Sequence, residues 1–146
     1  MEDYLKAQAD GTAFELNGND GEGVNIEILT AAKTLTGADS DKTFILGAAV
    51  GYAITLPAVA MKGWRAKFIT GLAFATTNWT IVAATKVIQG SVIVNSTDVP
   101  GSNEDTVTFV DSAESLGDWV ELVSDGTNWY ISGLGHTTGS ITLTAS

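Results

Sequence analysis

From Val24 onward the chain is a succession of short runs rich in Val, Ile, Thr and aromatic residues, separated by Gly, Asn, Asp and Ser. That punctuation is the pattern of a β-sandwich or barrel. It predicts strands over 24–29, 34–36, 42–46, 52–56, 64–70, 79–83, 87–94, 106–110, 119–123, 129–132 and 140–143. Period-2 alternation is clearest where Tyr52, Ile54 and Leu56 alternate with Ala53 and Thr55, and where Val107 and Phe109 alternate with Thr106, Thr108 and Val110. Pro57, which has no N–H for a ladder, ends its strand. Asp125-Gly126 between two aromatic and β-branched runs predicts a hairpin, with Trp119 and Trp129 as a cross-strand aromatic pair. The fold class expected is all-β: a single-domain β-sandwich or barrel, jelly-roll-like, with an extended N-terminal arm. No fixed-period repeat or heptad is visible.

Residues 1–22 differ in character. The run from Asn17 to Gly23 is polar and Gly-rich and propagates neither helix nor strand, although a short helical turn over 3–8 fits the sequence. The division expected is therefore an arm over 1–22 and a body over 23–146. Tyr4, Leu5, Phe14 and Leu16 are the apolar residues in this polar arm, and such residues need something to bury against. They are the candidate partner-binding anchors.

Charge sharpens that division. The 146 residues carry a net charge of -10, with six acids and one Lys in 1–22, six acids and six bases in 23–110, and five acids without Lys or Arg in 111–146. Nucleic-acid binding is not expected, because phosphate neutralisation needs clustered Lys and Arg. Lys62, Arg65 and Lys67 are the only basic cluster, and the solvated face of one strand accounts for them. Hydrophobic residues make up 45% against 16% charged, which places the chain among ordered globular proteins. The most apolar stretch, 45–61, is broken by Gly47, Gly51 and Pro57, so no membrane helix is expected. An acidic start without an apolar run to follow it gives no expectation of export by a standard signal.

Catalytic groups are sparse. There is no Cys, and the one histidine, His136, sits in a Gly-rich loop, so a nucleophile–histidine–acid relay would rest on that residue alone. Acids cluster at Asp39 and Asp41, at Glu104-Asp105, and over Asp111, Glu114 and Asp118, but glycosidase chemistry needs two carboxyls across a bond, a spatial relation that spacing does not supply. Asn17, Asn19, Asp20 and Glu22 crowd oxygen ligands into one loop. The EF-hand order fails there, with Gly21 at the fifth position and Glu22 where glycine is required. Trp64, Trp79, Trp119 and Trp129 would serve either as core and interface or as a sugar-stacking platform. The sequons at Asn78 and Asn95 mean little without export. The expectation is a non-enzyme with no cofactor and no metal.

Several segments resemble a known group. They are Leu29-Thr30-Ala31-Ala32-Lys33-Thr34-Leu35-Thr36, Asp41-Lys42-Thr43-Phe44-Ile45-Leu46, Tyr52-Ala53-Ile54-Thr55-Leu56-Pro57, Trp79-Thr80-Ile81-Val82, Val87-Ile88-Gln89-Gly90, and the run from Gly117 to Gly133. Together they resemble, over about residues 28–133, the bacteriophage capsid (head) decoration or cement proteins. The resemblance implies a β-sandwich or barrel, usually a homotrimer, that binds the major capsid protein on the outer surface of the virion and stabilises contacts between capsomers. It implies no catalytic residue, no membrane and no nucleic acid, and synthesis in the host cytoplasm. The Asp-Gly-x-x-Trp hairpin also occurs in tail-fibre and other virion proteins. A tail-associated carbohydrate- or receptor-binding module is therefore the second expectation, and a hydrolase the third.

Overall fold

A computed structural model describes residues 25–146, which form twelve strands and one short 3-10 turn. The strands are β1 (Ile26–Leu29), β2 (Lys33–Thr34), β3 (Lys42–Leu46), β4 (Ala53–Thr55), β5 (Arg65–Thr70), β6 (Trp79–Val82), β7 (Ile88–Val94), β8 (Thr97–Glu104), β9 (Thr106–Phe109), β10 (Trp119–Ser124), β11 (Trp129–Gly135) and β12 (Ile141–Thr144); the 3-10 turn is Gly37–Asp39. Seven strands form sheet A, in the order β1-β3-β5-β10-β11-β7-β8, and five form sheet B, in the order β12-β9-β6-β4-β2. The all-β, two-sheet architecture matches the sequence pattern. The arm and its anchors Tyr4, Leu5, Phe14 and Leu16, like the loop around Asn17–Glu22, lie outside the described residues.

Alternation along each strand sends one set of side chains between the sheets. Phe44 and Leu46 of β3, Phe68 of β5, and Val120 and Leu122 of β10 are buried from sheet A, and Ile54, Trp79, Ile81, Val107 and Phe109 from sheet B. Phe44 stacks on Phe68 with ring centroids 5.3 Å apart, and Trp64 meets Trp129 edge-on at 5.3 Å. Aromatic pairs in these geometries add to the stabilisation from buried area alone.

The winding is not that of a jelly roll, whose Greek keys are antiparallel. The first six strands alternate between the sheets, β1, β3 and β5 in A and β2, β4 and β6 in B, and every pairing among them is parallel. Each crossover from one parallel strand to the next is made through the opposite sheet rather than through a helix. The result is a flattened coil of three turns. Its turns begin at Ile26, Lys42 and Arg65, at unequal spacing, which is why no fixed period shows in the sequence. After β6 the chain changes mode: β7–β8 and β10–β11 are antiparallel hairpins, and β9 and β12 run antiparallel in sheet B.

Two expectations need correction. The chain from Thr97 to Glu104, with Pro100 and Gly101, reads as loop but forms β8, an edge strand of sheet A where a missing N–H can face away from the ladder. Its hairpin turns at Asn95-Ser96, both at positive φ (48° and 65°), the conformation of a type I′ turn. The β10–β11 hairpin exists, but Ser124 pairs with Trp129, so four residues turn the corner instead of two. Trp119 lies opposite Leu134 and Trp129 opposite Ser124, on opposite faces of the sheet, so the two tryptophans form no cross-strand pair.

Candidate interaction surface

The outward-facing residues of sheet A follow from the same alternation. Ile28, Ile45, Ile69, Trp119, Leu134 and Ile93 each lie between inward neighbours on their own strands. Register then aligns them: Ile28 pairs with Ile45, Ile45 with Ile69, Ile69 with Trp119, Trp119 with Leu134 and Leu134 with Ile93. Six strands thus contribute one unbroken apolar row at one height on the face. Ile28 is 64% exposed, Ile93 41% and Leu134 37%. Next to its end of the strands stand Leu72 and Leu116, also exposed, on loops brought together by the Gly117 N–H donating to the Thr70 carbonyl at 2.9 Å. Scattered exposed apolar residues are ordinary, but a contiguous row marks an interaction surface.

Glycines let the row lie down. A Cβ at Gly47 would stand 2.5 Å from Ile28 Cγ2, and one at Gly71 would stand 2.2 Å from Ile45 Cγ2. The isoleucine of each turn therefore drapes over the glycine that follows the next strand.

One step along the strands the face becomes polar. Thr43, Lys67, Glu121 and Ser132 form the adjoining row, with Lys67 and Glu121 in register. Lys67 Nζ sits 4.4 Å from the centre of the Trp119 ring, a cation–π contact that ties the polar row to the apolar one. Of the basic cluster, Arg65 and Lys67 share the outer face of β5, while Lys62 lies in the turn before it. Arg65 pairs with Asp41 at 3.0 Å. Asn25, Asp41, Arg65, Lys67 and Glu121 line an open groove of about 470 Å³ across this part of the sheet.

A charged cluster closes the core beside β1 and β2. Lys33 and Lys42 both bridge Glu27 and Asp39, with Lys42 Nζ 3.0 Å from Glu27 and 2.9 Å from Asp39. Lys33 Nζ also lies 5.4 Å from the centre of the Phe44 ring. Burial alone would raise the Asp39 pKa; hydrogen bonds from Lys42, the Thr36 N–H and Lys33 outweigh it and hold it at about 2. The Glu27 carboxyl is lowered chiefly by its hydrogen bond from Lys33, against the opposing effect of burial. Lys42 is correspondingly raised by Asp39 and Glu27. Inward-pointing charges at the end turn of a stack, here the first turn of the coil, protect an open sheet edge, and they finish the core with paired ions rather than apolar surface.

His136 Nδ1 lies 2.6 Å from Asp118 Oδ1, and the fully buried Asp118 also accepts the Ser115 and His136 N–H groups, each at 2.9 Å. Such an aspartate orients a histidine in catalytic relays, but the described hydrogen bonds bring no serine to the other ring nitrogen. The pair instead pins the 111–118 loop, which carries Leu116, to the turn after β11. Two more of the candidate acids have structural partners: Asp105 accepts from Thr106 and Ser146, and Glu114 from the Phe74 N–H. Among the described residues no group of three or more His, Asp or Glu side chains converges on a metal-sized space, and no helix is long and apolar enough to cross a membrane. Trp64, Trp79 and Trp129 are buried, leaving Trp119 under Lys67 as the one partly accessible indole.

No family model matches the chain, and no curated protein matches it. The apolar row was hidden from sequence reasoning because its members come from six strands. A usable signal was nonetheless present: Ile28, Ile45, Ile69 and Ile93 sit at positions where alternation with buried neighbours demands an outward side chain.

Proposed function

We propose that this chain is a virion structural protein, a capsid decoration protein that binds the major capsid protein on the outer surface of a phage head and stabilises contacts between capsomers. The observation that supports an assembling, non-catalytic role is the six-strand apolar row, laid across a sheet face that no other described element covers. The virion assignment is supported by the resemblance carried over residues 28–133. Several weak contacts repeated by symmetry give high avidity without one strong site. The acidic arm over 1–22, with Tyr4, Leu5, Phe14 and Leu16, is the segment proposed to reach the shell.

A tail-associated carbohydrate module is the second reading, and the placement of the tryptophans weighs against it. Three indoles are core, and Lys67 occupies the face of the fourth. Deleting residues 1–22 is expected to abolish binding to heads lacking the protein while leaving the body's far-ultraviolet circular dichroism unchanged. Full occupancy by the truncated protein would reject the arm as the shell-binding segment, and failure of the intact protein to bind such heads would reject the decoration assignment. Binding to a glycan array, lost on Trp119→Ala, would favour the carbohydrate reading.

A further inference from the structure

The apolar row has an internal symmetry. Reading across sheet A, Ile28–Ile45–Ile69 is followed by Trp119–Leu134–Ile93, three large apolar residues on either side of the boundary between β5 and β10. In the adjoining polar row the same boundary separates Lys67 from Glu121. Now place a two-fold axis parallel to the strands along that boundary. Ile69 then faces the partner's Trp119, Ile45 the partner's Leu134, and Ile28 the partner's Ile93. Lys67 faces the partner's Glu121, and Glu121 the partner's Lys67.

We propose that the outer face of sheet A is an isologous interface, on which a second copy of this chain packs face to face about a two-fold axis between β5 and β10. This goes beyond the decoration reading, and the two-fold pairing stands in place of the homotrimer that the resemblance implies. The argument is one of self-complementarity: an isologous contact requires that each patch match its own rotated image. Here the apolar row maps onto an apolar row and the one in-register pair of opposite charges maps onto its opposite.

Size fits as well. Seven strands at a spacing of ~4.8 Å, each about six residues long, give a face on the order of 600 Å² in plan. A standard interface takes ~800 Å² from each partner, and Leu72 and Leu116 at the margin extend the face toward that figure. Two twisted sheets packed with strands nearly aligned are also the commoner sandwich geometry. A three-fold arrangement would be heterologous, setting the row of each copy against some different patch of the next, and would leave this internal symmetry without a role.

The test measures mass in solution on the full chain. The wild type is expected to be a dimer by sedimentation equilibrium, and Ile69→Glu, which changes an outward side chain only, to weaken self-association at least about thirtyfold, as loss of a central interface residue does. The charge pair gives the symmetry-specific measurement. Lys67→Glu and Glu121→Lys should each weaken the dimer about tenfold, because each sets like charges opposite one another. An equimolar mixture of the two variants should regain association as a heterodimer, since each then offers the charge the other lacks. Circular dichroism on each variant confirms that the body remains folded.

A wild-type monomer or trimer at the highest soluble concentration would overturn the proposal. So would a dimer indifferent to Ile69→Glu, or a mixture that regains nothing. None of these measurements involves the phage head, so failure here is distinguishable from failure of the decoration assignment.

Discussion

Asp39 and Glu27 are two residues through which pH acts on this fold. Their pKa values in the folded state lie below the ordinary 3.8 and 4.5, Asp39 at about 2. A carboxyl lowered on folding stabilises in its ionised form, so the contribution is fully present above the unfolded value and drains away as pH falls through the folded one. For Asp39 this amounts to about 2 kcal/mol, lost between pH 3.8 and pH 2. Lys42, raised by the same partners, adds stability at neutral pH that is lost only in strong alkali. Urea midpoints measured between neutral pH and pH 2 should therefore fall steeply in acid. In Lys42→Met they should start lower, by roughly 1 kcal/mol for a part-exposed pair of ion contacts, and fall less. The sequence shows these four charges but not their meeting, because Glu27, Lys33, Asp39 and Lys42 come from three strands and a turn that only the coil brings together.

At the scale of elements, alternation located most strands because burial on one face of a sheet has a period of two whatever its neighbours are. It failed at β8, where an edge strand with one exposed face tolerates Pro100, Gly101 and Asn103 that a central strand would reject. It located the hairpin but not its register, since Asp125-Gly126 reads as a two-residue turn while Asp125 Oδ1 holds a wider loop by accepting the Thr127 and Asn128 N–H groups at 2.8 and 2.7 Å. Pairing between β7 and β11 rests on a position where side chains are excluded. Gly90 has φ of 114°, and a Cβ there would stand 2.5 Å from the Ile131 carbonyl oxygen. Gly90→Ala combines backbone strain with a clash against backbone that cannot yield, so it should cost roughly 2 kcal/mol or more. The thermal midpoint and the urea midpoint should both report that loss.

For the whole molecule, one hydrophobic cluster runs through both sheets and includes the buried tryptophans Trp64, Trp79 and Trp129. The three-turn coil and the hairpins after it share that core, with β10 paired to β5 and β9 to β6. Unfolding is therefore expected to be a single cooperative step, with tryptophan fluorescence and far-ultraviolet circular dichroism giving coincident transitions. Phe68→Ala, which empties the stacking site against Phe44, should shift both together by about 3–5 kcal/mol. Two separated transitions would mean that the coil folds without the hairpins.

The all-β class and the position of most strands were legible in the sequence, because those properties follow from local alternation and turn chemistry. Tertiary structure alone decided that the first six strands pair in parallel, that paired ions close one end of the core, and that six outward side chains line up in one row. Alternation says which face a residue takes and is silent about which strand lies beside it. A surface built across strands belongs to register, and register is set only when the sheets close on their common core.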